Sequence, residues 1–130
     1  MVSLSLKDIF NLKCNLIPNI ATGFSGGIGR AGSVCGALVG AIMVVGIMKG
    51  RSQGLDQEAL QKCSALSKRI IERFIDEFGS ERCQDITGYL LSDPAQYRKW
   101  LENGGKEKCI DLVKSVTLFS AEIMKSIGKD

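Results

Sequence analysis

This chain of 130 residues contains no histidine, and that one absence removes several chemistries. A Ser-His-Asp triad, a Cys-His nucleophile pair and a histidine-held zinc cannot be built within it. Any metal would have to rest on thiolates, carboxylates or backbone oxygens, which turns the expectation toward zinc or iron–sulfur chemistry. Aromatic residues are also scarce, at 6%. The net charge is only +3, and no basic run carries interleaved Tyr or Phe on which bases could stack. Nucleic-acid binding is therefore not expected.

An export signal is missing too. The opening MVSLSLKDIF places Lys7 and Asp8 where a signal peptide needs an uninterrupted apolar core, so a cytoplasmic protein is expected. In a reducing compartment the five cysteines are expected to be free, redox-cycling or metal-binding rather than locked in structural disulfides. No Cys-x-x-Cys pair occurs, and the odd number leaves one cysteine over in any intramolecular scheme. No segment sustains a period-two alternation, so no strand is expected.

What is present is ordinary globular composition, 45% hydrophobic and 24% charged, in a chain long enough for one domain with its own core. The chain is organised around Gly23–Gly50, reading GFSGGIGRAGSVCGALVGAIMVVGIMKG. Gly23, Gly26, Gly27, Gly29 and Gly32 make its first part a glycine turn. Ala31 to Met48 then runs without a charge, nearly long enough for a membrane span. Small residues at 32, 36, 40 and 46 give that segment a face for close helix packing, and the amphipathic segments around it need an apolar partner. It is read as a buried central helix, with no stable membrane span. Its small-residue face leaves a homodimer open.

The flanking segments read as helices. Leu6, Ile9, Phe10 and Leu16 recur at helical spacing up to a break at Pro18, and a short helical piece over 17–22 follows. Asp56 is the N-cap of a helix running to Phe78 and stopped by Gly79. Its expected buried stripe is Leu60, Cys63, Ser67, Ile70, Ile71, Phe74, Ile75 and Phe78. Ser80 is expected to cap a short helix over 81–87, closed by Gly88. Asp93-Pro94 starts another, ending at Asn103-Gly104-Gly105. The last helix, 106–127, aligns Cys109, Leu112, Val113, Val116, Phe119, Ile123 and Ile127. The expected fold is all-α: one helical domain over 1–130, bundled around the Gly-rich central helix.

Gly27-Ile28-Gly29-Arg30-Ala31-Gly32 matches a dinucleotide-binding fingerprint, but no strand precedes it and no second strand with an acidic end follows. The weaker reading retained is that Gly27, Gly29 and Arg30 hold some anion at a helix N-terminus. Cys35 falls in the first turn of the central helix. Unpaired amides there would stabilise a thiolate and lower its pKa; equally, a free cysteine there could be a small core residue. Cys63 and Cys109 lie on apolar stripes, and Cys83 in the short segment GSERCQDITG. Asp76 with Glu77 and Glu107 with Asp111 read as solvated ion-pair partners, and Tyr97 and Trp100 as core or edge residues.

At Cys35-Gly36-Ala37-Leu38-Val39-Gly40 the chain resembles a redox-active family named for a Cys-Gly-Ala-x-x-Gly motif and further spaced cysteines. The similarity includes GFSGGIGR before the motif, FIDEFGSERCQDITGY around Cys83, and KEKCIDLVKSVTLFSAEIM around Cys109. It covers about residues 17 to 125. The resemblance implies a cytoplasmic all-helical protein with a redox or metal-related role. Related sequence in the iron–sulfur part of split-Soret cytochromes implies a thiolate-held cluster. The family has one more cysteine in an N-terminal helix, and Cys14, only nine residues before Gly23, is not expected to fill that place.

Two functions follow as expectations. In the first, Cys35, Cys83 and Cys109 are the working residues. Either Cys35 is the nucleophile, resolved by Cys83 or Cys109 as a disulfide and served by an unidentified redox partner, or all three ligate zinc or an iron–sulfur cluster. In the second, the chain is a non-catalytic helical interaction module, and its cysteines are core.

Overall fold

The computed structural model describes residues 1–127. It consists of α1 (Val2–Ile9), a 3-10 helix (Asn19–Phe24), α2 (Gly36–Lys49), α3 (Gln57–Phe78), α4 (Cys83–Thr87), α5 (Pro94–Glu102) and α6 (Gly105–Ile127). Among the described residues there is no strand, and a single isolated antiparallel bridge joins Val34 to Arg82. The all-α expectation holds. Among the described residues no helix is long and apolar enough to cross a membrane; α2 has 14 residues, about 21 Å of helix against a hydrocarbon layer of about 30 Å.

The central position of α2 follows from its composition. It is apolar all round, with no polar face to turn to water, and it packs against α1, α3 and α6 while Gly46 and Ile47 stay exposed. Leu38, Ala41, Val44 and Val45 of α2 are fully buried with Leu66, Ile70 and Phe74 of α3 and Val116 of α6. Two glycines on α2 set how closely its neighbours approach. A side chain at Gly36 would run into the Phe24 carbonyl, and one at Gly40 would stand in van der Waals contact with Ser3, 3.4 Å from its amide nitrogen. Gly46 has open space beside it, so the small-residue face expected at 32, 36, 40 and 46 is used at only part of its length.

The local stop and start signals act as expected. The Asp56 carboxylate accepts from the Ala59 amide at 3.1 Å, and Asp93 accepts from Ala95 at 3.1 Å ahead of Pro94. Gly79 and Gly88 close α3 and α4 in the left-handed region, at φ 83° and 78°.

Four boundaries differ from the sequence reading. The first helix ends at Ile9, not near Leu16, because the chain turns left-handed at Asn11 (φ 51°). The 3-10 helix sits two residues later than expected. α2 starts at Gly36, so Cys35 is its N-cap rather than a first-turn residue. α4 starts at Cys83, and Ser80 instead accepts from the Arg82 amide while donating to Asp85. On α3 the buried positions are Leu66, Ile70 and Phe74, with Ile75 exposed. Ile127, aligned with the α6 core face by spacing, lies outside the described side chains.

Candidate functional site

The glycine turn is a left-handed stretch of backbone. Every residue from Gly26 to Arg30 has positive φ, between 62° and 80°. L-residues resist that conformation by about 1–2 kcal/mol each, which accounts for the glycine density and leaves Ile28 and Arg30 strained. The stretch is held by its own carbonyls: Gly29 N–H donates to Gly23 O at 2.8 Å, Arg30 N–H to Ser25 O at 3.0 Å, and Ser33 N–H to Gly27 O at 3.0 Å. The amides of Gly29 and Arg30 are thus occupied within the turn. The Arg30 guanidinium lies over the Tyr97 ring, 5.1 Å from its centre, tying the turn to α5 rather than to Cys35.

The turn delivers residues 33–35 to a partner far along the chain. Cys35 N–H donates to Glu81 O at 2.8 Å, and Cys83 N–H donates to Ser33 O at 2.7 Å, around the Val34–Arg82 bridge. In an antiparallel pairing, the residues flanking a bridged pair point to the opposite face from it. Cys35 and Cys83 therefore share one face as diagonal neighbours, at roughly 7–8 Å between Cα atoms. A disulfide needs about 4.4–6.8 Å, so closing one requires the two backbone segments to move together by up to about 1 Å. Gly27 fills the space behind: a Cβ there would stand 2.7 Å from the Cys83 Cβ and from the Ser33 amide and carbonyl.

Cys109, on the first turns of α6, completes the group. Cys35, Cys83 and Cys109 all line one cavity of about 360 Å³ between α1, the 3-10 helix, α2, α4 and α6. Among the described residues no charged side chain lines it. A smaller cavity of about 290 Å³, with Tyr89, Asn103 and Lys108 in its wall, meets the first at Cys109, Thr87 and Trp100.

The thiols are neutral at rest. Burial pushes Cys35 up from its ordinary value, while the facing amides of Ala37 and Leu38 pull more weakly the other way. Its thiol closes no capping hydrogen bond. The lowered pKa expected from the helix N-terminus is thus reversed, because desolvation outweighs partial charges that are not fully engaged. Cys83 is pushed up to about 11, by burial first and then by the charges Cys35 and Cys109 would carry. Cys109 is raised by burial and by Cys35, and is opposed by the Trp100 indole N–H.

Cys14 and Cys63 are elsewhere. Cys63 packs on the main core, and neither lines the cavity. A zinc or cluster site gathers thiolates about 2.3 Å from one centre. Among the described residues no group of three or more Cys, Asp and Glu side chains is assembled to hold a metal ion. The set Cys35, Cys83 and Cys109, expected as ligands for zinc or an iron–sulfur cluster, does not fit one as arranged.

One cavity residue went unnoticed in the sequence. Ser3 of α1 is 1% exposed, its hydroxyl has no hydrogen-bond partner, and it lines the same cavity as the three thiols. The available signal was a small polar residue next to Val2 on the buried side of an apolar helix.

Comparison with known proteins gives the chain's family, whose name spells Gly-Cys-Ala-x-x-Gly where this chain reads Cys35-Gly36-Ala37-Leu38-Val39-Gly40. The family described as "Putative redox-active protein (C_GCAxxG_C_C)" matches residues 1–123, and the chain belongs to it. An uncharacterised protein of Archaeoglobus fulgidus is 29% identical over 119 residues, covering 91% of this chain and 66% of its own length. The chain thus spans just under two thirds of that relative. No solved structure matches significantly.

Proposed function

We propose that this member of the family is a dithiol–disulfide redox protein in which Cys35 and Cys83 form the exchanging pair and Cys109 stands beside them. The observation carrying this reading is the pairing of 33–35 with 81–83, which sets the two sulfurs on one face of a cavity. Cys35 is the attacking thiol. Of the pair, only its thiol faces free helix amides, and Cys83 is displaced further from the ionised form.

The cycle is a pair of displacements. Cys35 loses its proton and its sulfur attacks one sulfur of an incoming disulfide, and the released thiolate takes up a proton. Cys83 then attacks the Cys35 sulfur, releasing the second thiol and leaving an internal Cys35–Cys83 disulfide. The two cysteines are oxidised and the incoming disulfide is reduced to two thiols. The reverse sequence with an external dithiol restores the starting state. The resolving step needs only the short approach the diagonal pairing leaves.

Oxidation of the reduced protein with diamide, followed by peptide mass mapping, tests this. A Cys35–Cys83 linkage within one chain is expected, lost in Cys35→Ser and retained in Cys63→Ser. Absence of any linkage among Cys35, Cys83 and Cys109 would sink the reading.

A further inference from the structure

We infer that the cavity holding the thiols is a binding site for small uncharged disulfides, and that the Ser3 hydroxyl selects those carrying a polar atom at one end. This rests on the dithiol reading above and names its substrate class. Three observations carry it. The volume of about 360 Å³ falls within the range of small-molecule pockets, about 300–1,000 Å³. The wall is apolar apart from the thiols and a few hydroxyls, with no charged side chain in it. Ser3 contributes a buried hydroxyl with no partner.

Each observation bears on a ligand. A buried ion without a counter-charge is penalised by several kcal/mol, so a carboxylate or ammonium group on the substrate is excluded where the thiols are reached. An orphaned hydroxyl is costly in a finished core, and a ligand donor or acceptor would satisfy it. Access lies along the rim, where Met1, Pro18, Thr22 and Ser25 are exposed. Ser3 sits on α1 while Cys35 and Cys83 sit at the starts of α2 and α4. A molecule in the cavity can therefore meet the hydroxyl of one element and the sulfurs of the others. Ser3 is a specificity-determining residue here, and the electrons come from Cys35 and Cys83 as written above.

The test uses the reduced full chain and disulfides matched in size. 2-Hydroxyethyl disulfide is neutral, cystamine carries positive charge and dithiodiglycolate negative charge. Rates of Cys35–Cys83 oxidation are measured by quenched mass spectrometry and divided by each probe's rate with the urea-unfolded chain. The neutral probe is expected to lead both charged probes by at least about tenfold after that division. In Ser3→Ala the rate with 2-hydroxyethyl disulfide should fall about fivefold, the effect of one lost hydrogen bond, while diethyl disulfide, which lacks the hydroxyl, is unchanged. Equal normalised rates across the charge series would overturn the cavity proposal, as would an equal loss for both neutral probes in Ser3→Ala. If diamide forms the Cys35–Cys83 disulfide but the series shows no discrimination, this inference alone falls. If no reagent forms it, the underlying redox reading falls as well.

Discussion

Replacing Gly27 by alanine tests the joint on which the site depends. Two penalties combine at this position. The backbone is at φ 80°, where an L-residue is disfavoured by about 1–2 kcal/mol. The new Cβ would also stand 2.7 Å from the Cys83 Cβ and from the Ser33 amide and carbonyl. Two of those three are backbone atoms, so no side-chain rotation relieves the contact. Overpacking of that kind adds about 1–3 kcal/mol, for a total of roughly 2–5 kcal/mol. Gly29→Ala is the matched control. It sits in the same left-handed stretch at φ 62°, with nothing within 4 Å of its Cβ, and should lose only the conformational part, about 1–2 kcal/mol. Urea unfolding followed by circular dichroism gives both losses. Alkylation of Cys83 in the native state gives a second readout, because Cys83 is 7% exposed and Gly27→Ala should unseat it while Gly29→Ala leaves it covered. Equal losses in the two variants, within about 0.5 kcal/mol, with unchanged labelling of Cys83, would refute the argument that Gly27 exists to let the turn lie against Cys83.

Two further outcomes follow from the thiols. The Cys83 pKa is raised from 9.0 to about 11, so the native state keeps a proton that the unfolded chain loses first. That stabilisation is complete below pH 9 and disappears as pH rises from about 9 to about 11; urea midpoints should fall over this window and fall less in Cys83→Ser, and identical curves would count against the burial of this thiol. Because Cys35 and Cys83 are both raised, each reduced cysteine keeps its proton through neutrality. The potential of the Cys35–Cys83 couple should drop by about 59 mV per pH unit from pH 6 to 8.5, two protons accompanying two electrons. A break to about half that slope within the range would reveal a thiolate at neutral pH and contradict the dominance of desolvation.

Much of the fold was legible because its signals are local. Asp56, Asp93-Pro94, Gly79 and Gly88 start and stop helices through hydrogen bonds and φ preferences reaching no more than four residues. The all-α class follows from helical spacing in almost every segment, and the central place of α2 from its lack of a polar face. The misplaced boundaries have a common cause where they touch the site. α2 and α4 both begin later than their own sequences suggest, because residues 33–35 and 81–83 hydrogen-bond to each other, nearly fifty positions apart. Leu66 and Ile75 were exchanged on α3 because which edge of a stripe is covered depends on where α2 and α6 lie.

For this protein the sequence by itself determined the chemistry available: no histidine, a cluster of glycines that a left-handed turn requires, and five cysteines with no Cys-x-x-Cys pair among them. Tertiary structure alone decided what those groups do to one another. It placed Cys35 and Cys83 on either side of the Val34–Arg82 bridge and brought Cys109 and Ser3 to the cavity they line. It also reversed the expected acidity of Cys35. A helix N-terminus acts locally and can be read from a sequence, but desolvation depends on every element that closes over the thiol, and here it is the larger effect.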